Sequence, residues 1–204
     1  MLDVLGLKQT EKDAITESFA ALKQNFNCTL DNEELGNFDN KTTNLGLLSE
    51  FLTKSIKNVF KIRNEDSKTY ILSIYLTEIH FDLVSQVFMY GIAFLGIHLT
   101  NCVIQPMTIL DKLSVFRKKK GEILKQNGSK NKYLLINTGK PSQKTVLPQP
   151  FLNELFKMNK IYIEIYDNMF VCSFQEAITT DDTLQLAAFI SKIDRIFSKT
   201  GTGS

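Results

Sequence analysis

The chain has 204 residues, 43% of them apolar and 23% charged, a balance that excludes wholesale disorder and suits one domain, or one domain with an appendage. Cys28, Cys102 and Cys172 are odd in number and far apart, which excludes a disulfide framework or a C-x2-C zinc pattern and fits a reducing compartment. The net charge of +2 is small but unevenly placed along the chain.

The first residues, MLDVLGLKQTEKD, lack the basic start and long apolar run of a signal peptide, so secretion by that route is not expected. Thr10 is placed to cap a helix, with Asp13 at its favourable positive end, and Ile15, Phe19, Leu22 and Phe26 recur at helical spacing over roughly residues 11 to 25. The Asn- and Asp-rich stretch NCTLDNEELGNFDNKTTN then reads as a loop. It is not a calcium loop, because Leu35 and Thr42 stand where an EF-hand needs oxygen ligands. A second helix is expected over 44 to 62, with Leu48, Leu52, Ile56, Val59 and Phe60 as its stripe.

Tyr70 to Leu110 is the densest apolar segment, and Leu83 to Ile104 contains no residue charged at neutral pH. Alternation at Tyr70, Leu72, Ile74 and Leu76 predicts a strand; Thr77 then caps a buried central helix running through Phe94, and IHLTNCVI runs extended until Pro106. A membrane span is the competing reading, since about 20 apolar residues cross a bilayer. Ser85, Gln86, His98, Thr100 and Asn101 argue against it, because each costs free energy in hydrocarbon unless paired.

Met107 to Lys125 reads as a helix, Tyr133 to Ile136 as a short strand, and FLNELFKM as a brief helix after Pro148 and Pro150. Lys160 to Phe174 carries two alternating runs, IYIEIY and MFVCSF, around Asp167-Asn168, residue types that tolerate the positive φ of a two-residue turn. Such a hairpin places Ile161, Ile163, Ile165, Phe170, Cys172 and Phe174 on one face, toward the core. A C-terminal helix follows, capped at Thr179-Thr180-Asp181-Asp182, with Leu184, Ala187, Ala188, Ile190, Ile193 and Phe197 as its stripe. Residues 201 to 204 read as a flexible tail or a cloning scar, leaving 1 to 200 as a single α+β domain. Its expected form is a small antiparallel sheet, centred on the hairpin at about 160–174, packed against several helices that include the buried central one.

Catalytic chemistry has little to stand on. No G-x-S-x-G elbow or H-E-x-x-H pair occurs, and Gly139-Lys140 fails as a phosphate loop because Leu134 and Pro141 stand where glycine and Ser or Thr are needed. His98 and Cys102 would share a helical face, but two ligands make no metal site, so no catalytic residue, metal or cofactor is assigned.

Two surfaces remain as candidates. Between Lys112 and Lys144 ten basic residues face one acid, Glu122, a local net of +9 against −7 for the rest of the chain. Arg117, Lys118, Lys119, Lys120, Lys125, Lys130 and Lys132 therefore form a candidate patch for an anionic partner, either nucleic acid or anionic lipid. Tyr162, Tyr166, Met169 and Val171, on the second hairpin face, form an aromatic and apolar strip of the kind that marks a protein interface, unless a helix of the same chain covers it. The expected function is a non-enzymatic protein-interaction module, an adaptor or chaperone-like subunit of a larger, bacterial assembly in the cytoplasm. The alternative is nucleic-acid or anionic-membrane binding through the basic segment 112–144.

Overall fold

The structure, a computed structural model, describes residues 1–42, 45–49, 51–63, 68–79, 83–107, 121–139 and 145–200. Its described strands are β1 (Cys28–Leu30), β2 (Phe51–Arg63), β3 (Lys68–Ile79), β4 (Leu83–Phe94), β5 (Cys102–Pro106), β6 (Gly121–Leu124), β7 (Tyr133–Asn137), β8 (Tyr162–Tyr166) and β9 (Met169–Ser173). They form one nine-stranded sheet in the order β1-β2-β3-β4-β9-β8-β5-β7-β6, with every neighbouring pair antiparallel. The described helices are α1 (Gln9–Phe26), α2 (Leu35–Thr42), the single turn α3 (Gly46–Ser49), α4 (Gln149–Leu155) and α5 (Thr180–Thr200).

This large sheet overturns the expectation of a small sheet packed against several helices. The stretch expected to become a buried central helix, residues 77 to 94, is instead the end of β3 and all of β4, whereas the strand expected from Tyr70 to Leu76 is present as β3; the two strands pair as a hairpin in register from Lys68↔Phe94 to Ile79↔Leu83. The reason lies in its position at the middle of the sheet. Helices cover both faces there, so Val87, Phe88, Met89, Tyr90, Ile92 and Ala93 of β4 are all buried, and the alternation that identifies a half-exposed strand disappears. Among the described residues, no helix is long and apolar enough to cross a membrane.

The helix expected over 44–62 is corrected for a related reason. Only Gly46–Ser49 is helical, and β2 follows. Its pairing with β3 slips between Ile56↔Ile74 and Asn58↔Ser73, leaving Lys57 as the extra residue of a bulge. The bulge puts Ile56 and Val59, three residues apart, on the same sheet face, so a strand imitates helical spacing. The expected loop after α1 likewise holds β1, a 3-10 turn at Asn32–Glu34 and α2.

One face of the sheet carries α1, α4 and α5. Ile15 and Leu22 from α1, Phe151 and Leu155 from α4, and Phe189, Ile190, Ile193 and Phe197 from α5 pack on Phe60, Ile71, Ile163, Ile165 and Phe170. The buried pair Thr183 Oγ1 and Ser18 Oγ, 3.3 Å apart, links α5 to α1. Glu11, rather than Thr10, organises the start of α1: one carboxylate oxygen accepts the Lys8 amide at 2.9 Å and the other the Val87 amide of β4 at 3.1 Å. Thr179 caps α5 as expected, accepting the Asp182 amide at 3.1 Å.

The other face carries α2 and α3, whose Phe38 and Leu48, with Leu45 just before α3, pack on Val59, Leu72, Ile74, Phe88 and Tyr90. The C-terminal hairpin forms where the alternation placed it, with Ile163↔Cys172 and Ile165↔Phe170 paired and buried. It joins the two long hairpins of the sheet to the β5–β7–β6 half. Strand β6 stands where the end of the 107–125 helix was expected, and the rest of that expectation, from residue 108 to 120, lies outside the described residues, as do residues 201–204.

Candidate functional site

The second hairpin face is the place to test for a partner surface, because its side chains were the ones left over after the core was filled. Met169 and Val171 do not belong to such a surface. Both are buried in the cluster with Phe38, Leu48, Phe88 and Tyr90, so α2 and α3 of the same chain cover them. This corrects half of the expected strip: the apolar residues of β9 serve the second core, and the tyrosines of β8 are what remain accessible. Tyr162 is half-buried and Tyr166 is 38% exposed.

Between the two tyrosines sits Glu164, the one charged residue of the hairpin strands, and it is 5% exposed. A carboxylate so placed must have its oxygens satisfied. Glu164 Oε1 accepts the Gly46 amide at 2.8 Å and Oε2 the Leu47 amide at 2.9 Å, both in the first turn of α3. Glu164 therefore ties α3 to β8 and splits the strip into two hollows, one at each tyrosine.

The hollow at Tyr162 has a volume of about 360 Å³. Val103 of β5 and Ile136 of β7, which are cross-strand partners, form its base, with Leu47 of α3 and Tyr162 beside them. Gln105, Thr138 and Gln175 add polar, uncharged groups to its lining. The hollow at Tyr166 is similar in size, about 370 Å³, and different in chemistry. Lys41 lies over the Phe94 ring with its Nζ 4.4 Å from the centroid, and Asp167 lines the same space.

Asp167 begins the hairpin turn with φ of 57°, a left-handed conformation that Asp tolerates. The loop after β4 holds this turn: Asn101 Oδ1 accepts the Asp167 amide at 2.7 Å, and Leu95 and Leu99 donate their amides to the carbonyls of Asn168 and Asp167. His98 Nδ1 contacts Asp167 Oδ1, and both side chains are well exposed. The weighed pairing of His98 with Cys102 is not formed by a helix, because His98 lies in this loop and Cys102 begins β5, fully buried.

The thiols are unsuited to nucleophilic work. Burial pushes Cys28 up to about 11 and Cys102 to about 12, and raises Cys172 as well, whereas the reactive form is the thiolate. Among the described residues, no three His, Cys, Asp or Glu side chains come together as metal ligands.

In the basic segment, Lys125, Lys130 and Lys132 are exposed on the β6–β7 connection, whereas Arg117, Lys118, Lys119 and Lys120 lie outside the described residues. Sequence reasoning passed over Leu47, Val103, Gln105 and Ile136, because the hollow they share is assembled from a helical turn and two strands, with Leu47 and Ile136 standing 89 residues apart. Glu164 did carry a signal: a lone acid in the apolar run IYIEIY, on the side away from the main core, needs a partner.

No family model matches the sequence, and neither a curated protein nor a solved structure is similar to it.

Proposed function

We propose that the chain acts as a non-enzymatic protein-interaction module, an adaptor or chaperone-like subunit of a larger assembly. The observation that carries this reading is the hollow beside Tyr162. Its apolar base of Val103 and Ile136, with Leu47 and Tyr162 alongside and an uncharged polar lining, has the make-up of a pocket for an aliphatic side chain of a partner protein. Tyr166 on the same strand extends the contact area beyond the Glu164 clamp. A reducing, cytoplasmic setting belongs to the same reading and rests on three cysteines that are free and buried.

The test is to fill the hollow without disturbing the fold. Ile136→Arg places a cation where an aliphatic group would dock, and its neighbour Val103 offers a second variant. Stoichiometric partners are captured from native lysate by a photo-crosslinker at Tyr166, and mass is measured by light scattering. A partner that crosslinks to the wild-type chain and is lost in Ile136→Arg, at unchanged melting temperature, supports the proposal. A strictly monomeric protein with no stoichiometric partner, or a partner held equally by the variant, overturns it.

A further inference from the structure

A second groove lies on the opposite side of the sheet, between α4 and α5, and owes nothing to the hollow at Tyr162. Its volume is about 500 Å³. Pro150 and Ile196 supply apolar surface, and Lys157, Lys192 and Arg195 bring cations to it. Glu154, the one acid among the described lining side chains, is already engaged: its oxygens accept from Lys157 Nζ and, at 2.8 Å, from Lys192 Nζ. Those two hydrogen bonds hold its carboxyl below the usual range, so it stays ionised and organises the two lysines without cancelling the site. Both lysine side chains remain more than half exposed, and Arg195 is exposed with no ion pair or hydrogen bond among the described residues. Among the described lining side chains, three cations against one anion leave a charge of +2.

The charge does not end at the groove. Gln126 Nε2 donates to Asn153 Oδ1 of α4 at 3.1 Å, and Asn131 Nδ2 donates to the Met158 carbonyl at 2.8 Å. These bonds fasten the β6–β7 connection, which carries the exposed Lys125, Lys130 and Lys132, against the α4 region that borders the groove. The fold thus gathers onto one side cations from residues 125–132, 157 and 192–195, which are well separated in the chain.

We propose that this groove binds an acidic segment of a protein partner, with an aliphatic side chain seated on Pro150 and Ile196 and the flanking carboxylates on Arg195, Lys192 and the β6–β7 lysines. Charge complementarity and the apolar seat favour a peptide over the other polyanions. A nucleic acid gains from aromatic stacking and bidentate arginines, and here no aromatic residue lines the groove and one of the six cations is arginine. An anionic membrane is met by protruding apolar side chains, and none of the described exposed large hydrophobic residues lines the groove.

The full chain is titrated by fluorescence polarisation with a labelled synthetic peptide that holds one leucine among aspartates and glutamates. Parallel titrations use the same peptide with glycine for leucine, a single-stranded RNA and phosphatidylserine vesicles, each at low and high salt. The expected result is saturable, salt-sensitive binding of the leucine peptide, weakened about tenfold by Arg195→Glu, a change of about one charge-contact in free energy. Among the described residues the Arg195 side chain makes no ion pair or hydrogen bond, and the variant's melting temperature is expected to stay at the wild-type value. Binding that ignores Arg195→Glu, binding that ignores loss of the leucine, absence of binding, or tighter binding of RNA or vesicles than of the peptide would each overturn the proposal.

Discussion

The two faces of the sheet are closed by different means. On the first, the long helices α1 and α5, with α4, bury a continuous apolar layer in which Phe151, Phe170, Phe189 and Phe197 meet ring to ring at 5.6 to 6.4 Å. On the second, α2 and the single turn α3 cover a smaller cluster, and a polar clamp from Glu164 fixes α3 in place. The difference teaches where stability and adaptability reside. A packed aromatic layer resists any local opening, whereas a short element held by two hydrogen bonds can shift without unfolding the sheet beneath it. The hollow at Tyr162 borders the second kind of cover.

The largest expected effect breaks the first face. Phe170 is fully buried and contacts three of the other phenylalanines' layer, so Phe170→Ala leaves a cavity on the scale of a ring and costs about 3–5 kcal/mol. Denaturant unfolding should show a lower midpoint at unchanged slope.

Alkaline pH attacks the same face, because Cys28, Cys102 and Cys172 all belong to its cluster. Their folded thiols are raised above the ordinary 9.0, Cys28 to about 11 and Cys102 to about 12. Above pH 9 the unfolded chain releases protons that the folded chain retains. Unfolding then gains free energy as pH rises, so stability is fully present below about pH 9 and is lost as pH climbs toward 11 to 12. Melting curves across that range should fall, and Cys102→Ala should flatten part of the slope once its own lower baseline is subtracted. A thiol reagent at pH 8 should react only after denaturant is added.

On the second face, Glu164→Ala removes the acceptor of two backbone amides and should cost about 1–3 kcal/mol. The more telling readout is local. Amide exchange at Gly46 and Leu47 should accelerate well beyond the global change, while the amides of β4 and β9 that face α5 keep their protection. Glu164→Gln, which retains one acceptor oxygen, should fall between the two. Equal acceleration everywhere would show that the clamp supports the whole sheet and not its cover.

What could be read in the sequence follows from how many faces of an element are buried. α1 and α5 bury one side, so their stripes at Ile15, Leu22, Ile190 and Ile193 were visible, and the β8–β9 hairpin was visible through its alternation and its Asp167-Asn168 turn. β4 is covered on both sides, and β2 carries a bulge at Lys57, so the same reading took them for helices, while β3 was read as a strand as far as Leu76. The second hairpin face was legible as a face, but nothing local shows that α2, more than 100 residues earlier, covers Met169 and Val171. The α4–α5 groove was not legible at all, since its cations come from separate stretches and only the antiparallel order of the sheet brings them together.

The smallest effects offer the most direct comparison, because one substitution can be made on each face. Gly91 of β4 faces α5, and a β-carbon there would meet Cys172 Sγ at 3.1 Å, Leu186 Cγ at 3.3 Å and Ile190 Cβ at 3.4 Å. All three neighbours are buried, so none can swing away, and Gly91→Ala should force α5 outward at a cost of about 1–3 kcal/mol. Gly46 opens α3, and a β-carbon there would meet only the Glu164 carboxylate, at 3.4 Å and beyond. That contact is ordinary, and alanine favours the helical turn by up to about 1 kcal/mol over glycine. Gly46→Ala should therefore leave stability unchanged or raise it slightly. Paired melting curves decide the point: if both alanines destabilise equally, α3 is packed as tightly as α5 and the second cover is not the adjustable one; if only Gly91→Ala does, the hollow at Tyr162 has a wall that can move to fit what docks there.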